Sequence, residues 1–242
     1  MDGIICFWEP HHVVSRTTVK MIDFSRYDSF IFDWDNTLAA TEPLHIKAIE
    51  KALQEMLQYQ MNYDDCLFFV GSTSAALAER ILHKLDRDDV SAEQVSQRKA
   101  DILRKQDIHF KLFPGVQEFL HFWKGRKKLA LASNSSREFI ERSLAYSGLR
   151  KYFDCIICAD DVEKRKPEPE MFLLAATQLA SDRNRCLIFE DSTAGLLAAQ
   201  NAAMPAVLVL NPGNPLPGVL ELSQPMYSWP QLLQASKGSC KN

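Results

Sequence analysis

Short apolar runs, each closed by a polar cluster, recur along the chain at 30–32, 129–132, 155–159, 186–189 and 206–210. Between the later runs lie segments with helical spacing at 138–147, 170–179 and 194–203. Strands that alternate with helices predict a parallel sheet covered on both faces. The interval from Thr41 to Phe113 breaks the alternation, because it holds no strand-like run and is helical throughout. Thr41 is placed to cap a first helix, with Glu42 and Pro43 in its opening turn and Ile46, Ile49, Leu53 and Met56 as its apolar face. Further helices are expected near 74–84 and 92–104, before Phe113-Pro114-Gly115 returns the chain to the sheet.

This pattern predicts an α/β fold: a Rossmann-like parallel sheet core flanked by helices, with an inserted all-helical cap domain. The expected boundaries are an N-terminal extension over 1–27, a core over 28–40 and 111–242, and a cap over 41–110. Ligands of open α/β sheets bind outside the carboxyl ends of the strands, so helices inserted there would form a lid that excludes water and selects substrate. Residues 1–27 show no strong period. The tail from Asn211 to Asn242 begins with Pro and Gly and has one weak amphipathic stretch around 229–233.

At 242 residues, with 46% hydrophobic and 24% charged positions, the composition is that of an ordinary globular chain. A net charge of -3 gives no general attraction to nucleic acid or an anionic membrane. No apolar run is long enough to span a bilayer, and Met1 to Pro10 lacks the features of a secretory signal, so a cytoplasmic monomer is expected. The six cysteines do not suggest a disulfide framework. Cys155 and Cys158 form a C-x-x-C inside an apolar run, where buried thiols are ordinary core residues, and no second pair completes a metal site. His11-His12 finds no third ligand and reads as a solvated dipeptide.

The ends of the strands carry the chemistry. Asp33-Trp34-Asp35-Asn36-Thr37 directly follows Phe30-Ile31-Phe32 and sets two carboxylates where a buried strand stops. Such acids need a compensating charge, which a hard cation and a phosphate can supply, although Asp-x-Asp-Asn is also ordinary turn chemistry. Ser133-Asn134-Ser135-Ser136 offers small donors for phosphate oxygens or a helix cap. Lys164-Arg165-Lys166-Pro167 reads either as a solvated loop or as a lysine held by the following proline to reach a phosphate. Glu190-Asp191-Ser192 is a second acidic pair or a helix cap.

Acid pair, hydroxyl and amide, lysine, and acid pair in that order resemble the four motifs of the haloacid dehalogenase superfamily over about Ser29 to Leu210. Thr41-Glu42-Pro43-Leu44-His45, Lys47-Ala48, Gly71-Ser72 and Phe113-Pro114-Gly115 resemble the branch with a small helical cap. That branch holds beta-phosphoglucomutase and sugar phosphatases, and the match leans toward the fructose-1-phosphate phosphatase type. The resemblance implies that Asp33 attacks phosphorus to form an aspartyl-phosphate, while Asp35 protonates the leaving alkoxide and then activates water. It further implies Mg²⁺ held by the Asp33 carboxylate, the Asp35 main-chain carbonyl and Asp191, with Glu190 nearby through water. Ser133, Asn134 and Lys166 would neutralise the phosphoryl group. His45, Lys99 and Ser72 are the expected cap contacts, with a solvated helical role the alternative for Lys99.

In that scheme Asp33, beside Mg²⁺ and Lys166, stays ionised, whereas Asp35 carries a proton. Two departures stand out. Asn36 occupies the usual glycine position, where asparagine tolerates a left-handed backbone, and Trp34 should turn into packing. The expected function is a Mg²⁺-dependent phosphatase of a small phosphorylated metabolite, with a sugar phosphate as the expected substrate. A phosphosugar mutase is the alternative, weakened because Gly71-Ser72-Thr73-Ser74 lacks an arginine. A non-catalytic binding domain is the third reading, opposed by the intact motifs.

Overall fold

The strands present aromatic and leucine side chains to one side and mostly isoleucine and alanine to the other, and this sorts the molecule into layers. The computed structural model describes residues 22–70, 72–212 and 225–239. The expectations for the segment before Ile22, for His11-His12, for Gly71 and for 213–224 lie outside those residues. Six strands form one parallel sheet: β1 (Ser29–Phe32), β2 (Lys128–Ala132), β3 (Cys155–Ile157), β4 (Cys186–Glu190), β5 (Ala206–Val209) and β6 (Met226–Tyr227). Their order is β3-β2-β1-β4-β5-β6. Successive residues of a strand face opposite sides, so Phe30, Phe32, Leu129, Leu131, Leu187 and Phe189 fall in one core cluster. Ile31, Ala130, Ala132, Ile157 and Ile188 fall in the other.

The two faces are covered differently for that reason. The aromatic face packs α5 (Val116–Trp123), α6 (Arg137–Ser147) and α9 (Trp229–Ser239). On the other face, small residues let α7 (Glu170–Gln178) and α8 (Thr193–Asn201) come close, through Ala175, Ala176, Ala198 and Ala199. β1 lies between β2 and β4, where the order of the strands reverses, so the ends of all three open into one crevice.

The helical cap comprises α1 (Glu42–Leu57), α2 (Tyr63–Val70), α3 (Ser74–Leu85) and α4 (Ala92–Lys105). Its two connections to the sheet run side by side, with Ala39 bridged antiparallel to Leu112. Ala40 donates to Lys111 O and Phe113 donates to Leu38 O. Arg142 on α6 donates to the carbonyls of Leu103, Arg104 and Gln106, satisfying the acceptors left free at the end of α4.

Several details differ from the sequence-based expectation. The third run leaves the sheet after Ile157 because Asp161 accepts from Cys158 N and draws the chain into a 3-10 turn at Ala159–Asp161. The buried face of α1 is His45, Ala48, Ile49, Ala52, Leu53 and Leu57, with Ile46 and Met56 only half-buried. Thr41 does precede α1, but its side chain makes no cap bond. The short α2, apolar around most of its circumference, and the two-residue β6 carry too little period to be recognised, whereas α5 repeats its buried Val116, Phe119, Leu120 and Trp123 at helical spacing and is absent from that expectation. The weak stretch at 229–233 extends to the full length of α9. Cys155 and Cys158 are free, and burial pushes their thiols up to about 11 and about 12, which leaves them inert as nucleophiles.

Ile31 is fully buried at the centre of the sheet. Ile31→Ala is expected to destabilise the protein by about 3 kcal/mol, measured by urea unfolding.

Candidate active site

Asp33 continues the sheet by one bond, its N–H donating to Phe189 O at 3.0 Å. The chain then turns. Asn36 adopts a left-handed conformation with φ 59°, the geometry expected where a glycine is usual. Leu38 N and Ala39 N both donate to Trp34 O, at 3.0 and 3.2 Å, and Asn36 N donates to Ala39 O at 2.8 Å. Trp34 is fully buried with its ring edge-on to Phe110, as expected of the residue between the acids.

Lys166 is the charge around which the strand ends gather. Its Nζ donates to Asp33 Oδ1 at 2.7 Å, Ala132 O at 2.8 Å and Glu190 Oε1 at 2.8 Å, which uses all three ammonium hydrogens. Burial works against the charge, but Asp33 and Glu190 outweigh it and hold the ammonium above its ordinary pKa. Asn134 grips the main chain of the same residue: Nδ2 donates to Lys166 O at 3.2 Å, and Lys166 N donates to Oδ1 at 3.1 Å. The amide expected to meet phosphate thus secures the lysine.

Glu190 has a comparable organising role. Its Oε2 accepts from Asp191 N, Ser192 N and Ser192 Oγ, each at 2.9 Å. The carboxylate lies over Gly195 so closely that a Cβ there would overlap it, which explains a glycine inside the first turns of α8. Asp191 accepts from Thr37 Oγ1 at 2.6 Å. Among the described residues, oxygens of Asp33, Glu190 and Asp191 lie within 4.8 Å of one another. Burial and the neighbouring carboxylates raise Asp191 well above the usual carboxylate range. Three gathered carboxylates facing one lysine are a donor set that fits a hard divalent cation.

Asp35 has a different environment. Oδ1 accepts from Thr41 Oγ1 at 2.6 Å and lies 2.9 Å from His45 Nε2, while Oδ2 accepts from Ser135 Oγ at 2.7 Å and Ser133 Oγ at 3.1 Å. Burial opposes ionisation, but His45, Thr41 and Ser135 together hold the carboxyl well below its ordinary range. Burial, with Lys99, lowers the His45 pKa, and an ionised carboxylate only accepts, so Nε2 carries the proton. Burial pushes Asp33 up to about 7, with Lys166 pulling down and Glu190 and Asp35 adding to the rise. The expected order of the two acids is thereby reversed in the chain by itself: donors surround Asp35, while carboxylates crowd Asp33.

The cap completes the enclosure. A cavity of about 390 Å³ runs between cap and sheet and is lined by Asp35, His45, Ser72, Lys99, Asn134 and Lys166, among others. His45, Lys99 and Ser72 therefore share one wall, with the Ser72 hydroxyl buried and lacking a protein partner. Lys99 is not a solvated helical lysine; its Nζ lies 5.1 Å from the centre of the Phe69 ring. Burial lowers it to about 8 against the pull of Glu42 and Asp35, and burial raises Glu42 to about 7.

The profile of the haloacid dehalogenase-like hydrolases matches residues 30–209. The chain belongs to that family. It is 32% identical over 186 residues to fructose-1-phosphate phosphatase YqaB of Escherichia coli, a match covering 76% of this chain and 97% of that one. It is 33% identical over 184 residues to a phosphorylated carbohydrates phosphatase of Thermotoga maritima, covering 73% and 82%. Among solved structures, a putative beta-phosphoglucomutase from Thermotoga maritima superposes with a TM-score of 0.65 at 28% identity, over 87% of this chain and 99% of that one. CbbY from Rhodobacter sphaeroides superposes with a TM-score of 0.73 at 23% identity, over 87% and 99%, which speaks for the fold. The protein is a haloacid dehalogenase-like phosphatase.

Sequence reasoning missed several groups at this phosphatase site. The sequence marks Thr41 only as a helix cap and Ser135 only as a phosphate or cap donor, and it gives Thr37 and Glu42 no contact with Asp191 or the cavity. A hydroxyl within a few residues of an acidic motif is a signal that could have found the two threonines. Asn211 and Trp229, which reach the same loop, lie too far along the chain for any local pattern to mark them.

Millimolar Mg²⁺ is expected to raise the melting temperature by roughly 3–5 °C, read by scanning calorimetry. Asp191→Asn should melt higher than the parent without Mg²⁺ and respond little to it, because it removes one of the mutually repelling carboxylates. Gly195→Ala is expected to displace Glu190 and lower kcat by about 100-fold in a phosphate-release assay.

Proposed function

We propose that this phosphatase hydrolyses small sugar phosphates through an aspartyl-phosphate on Asp33, with Mg²⁺ as cofactor. The observation that carries the reading is the convergence of Asp33, Lys166, Glu190 and Asp191 at the sheet edge, beneath a cap cavity that also holds Asp35. Asp33, Asp191 and Glu190, with the Asp35 carbonyl, would hold the ion. When bound, Mg²⁺ supplies positive charge that favours ionised Asp33 and neutralises the phosphate oxygens.

An Asp33 carboxylate oxygen attacks phosphorus, and the bond from phosphorus to the sugar oxygen breaks. The arriving phosphate brings negative charge beside Asp35 and competes for its hydroxyl donors, so substrate binding favours the protonated acid. Asp35 then gives its proton to the departing alkoxide. It next takes a proton from the water that attacks the aspartyl-phosphate, releasing inorganic phosphate and restoring Asp33. His45 keeps the Asp35 carboxyl turned toward the reacting oxygen, and Lys166 holds Asp33 in line.

A sugar as leaving group is supported by the cap wall of Ser72, Lys99 and His45, which suits hydroxyl groups, and by the phosphatase relatives. The mutase alternative is not better supported: Ser72-Thr73-Ser74 carries no arginine, and the arginines that line the cavity, Arg104 and Arg165, lie outside that loop. The cap is read as a domain over 41–110 that closes on the substrate. A cytoplasmic location fits the free thiols at Cys155, Cys158 and Cys186, and a monomer is proposed with it; among the described residues, no helix is long and apolar enough to cross a membrane.

Phosphate release should be measured with Mg²⁺ across hexose and pentose phosphates, nucleotides and phosphoglycolate. Wild type is expected to prefer a sugar phosphate, to stop on chelation with EDTA and to recover with Mg²⁺. Asp33→Asn should abolish turnover, and Asp35→Asn should lower it at least 100-fold. A preference for nucleotides or phosphoglycolate would refute the sugar assignment, and turnover retained by Asp33→Asn would refute the nucleophile.

A further inference from the structure

The chain after residue 209 follows the stretch matched by the family profile, and part of it is built into the loop that carries the two aspartates. Trp229 opens α9 and is 1% exposed. Its ring stacks on Phe189 with centroids 5.7 Å apart and meets Phe119 edge-on at 5.2 Å. Its Nε1 donates to Thr37 O at 2.8 Å. Asn211, also buried, donates through Nδ2 to Asn36 O at 2.5 Å and to Thr37 O at 3.0 Å. Two consecutive carbonyls of the loop are therefore held by side chains from the C-terminal segment.

These bonds meet a need that the loop creates. Asn36 is left-handed and the chain at Thr37 follows no helix or strand, so buried carbonyls there require donors from elsewhere. The residues so held reach the chemistry directly. Thr37 Oγ1 donates to Asp191 at 2.6 Å, and Asn36 Nδ2 donates to Glu42 Oε2, at the start of the first cap helix, at 2.8 Å. The same end of α9 also lies against the returning connection. Gly115 has a φ of 94°, and a Cβ on it would meet Trp229 C at 3.3 Å and Pro230 N at 3.4 Å. Trp229 thus touches the chain both where it leaves for the cap and just after it returns.

We propose that Trp229 and Asn211 are positioning residues: by fixing the Asn36–Thr37 carbonyls, the C-terminal segment holds Asp33, Asp35 and Asp191 in their mutual register. The catalytic loop is completed by a part of the chain that follows the stretch matched by the family profile. The inference rests on the assignment of Asp33 and Asp35 as the reacting groups.

The test uses the full chain with p-nitrophenyl phosphate and Mg²⁺. Trp229→Phe keeps an aromatic ring and removes only the N–H, Asn211→Leu removes both amide donors at similar volume, and Leu232→Ala opens a void in the same helix away from the loop. Melting curves report folding, and hydrogen exchange is followed on peptides spanning 33–40. Both donor variants are expected to lose about tenfold in kcat with KM within about twofold, and to exchange faster over 33–40. Leu232→Ala should melt lower with kcat and loop exchange little changed. Unchanged kcat and unchanged exchange in both donor variants would overturn the inference, as would an equal kcat loss in Leu232→Ala. Hydrogen exchange separates this result from the nucleophile assignment, because faster loop exchange confined to the donor variants supports the brace even where Asp33→Asn retains turnover.

Discussion

The ammonium of Lys166 is the group on which the site depends. It is buried, it bonds Asp33 and Glu190 together, and its third hydrogen goes to the end of β2 through Ala132 O. Replacing it with a neutral group would leave a cluster of buried carboxylates without their compensating protein charge, a far larger penalty than the loss of an exposed ion pair. Asn134 holds its main chain from the same strand end, and the ammonium joins the ends of β2 and β4, which do not pair with each other.

That junction is possible because of strand order. β1 lies between β2 and β4, so the first, second and fourth strand ends open side by side, and the loop after β3 needs to cross only β2 to bring Lys166 over them. The aromatic layer beneath β1 and β4 fixes the platform. Phe32 and Phe189 stack at 4.7 Å directly before Asp33 and Glu190, so the two motifs start from positions locked by packing.

The sheet, the inserted helices and the four acidic, hydroxyl and basic motifs were legible because each leaves a local trace: an apolar run, a helical period, or a polar cluster at a run's end. The short α2 and β6 leave almost none. The opposed environments of Asp33 and Asp35 were harder to read, since they depend on Ser133, Ser135, Thr41 and His45 converging on one carboxylate. The spacing of Thr41 suggested a helix cap, but the acid 2.6 Å away took its hydroxyl instead. Asn134 was legible as a polar group at the site, and its bonds to the Lys166 main chain were not, because a sequence gives the type of a group and not its direction.

The paired connections at Ala39 and Leu112 give the chain a single doorway. Everything that shapes the outer wall of the cavity leaves and re-enters through that point, while the reacting groups stay on the sheet side of it. Cap and chemistry can therefore diverge at different rates: beyond the first turn of α1, where Glu42 and His45 bond Asn36 and Asp35, the wall can be rewritten while the phosphoryl-transfer machinery keeps its own geometry.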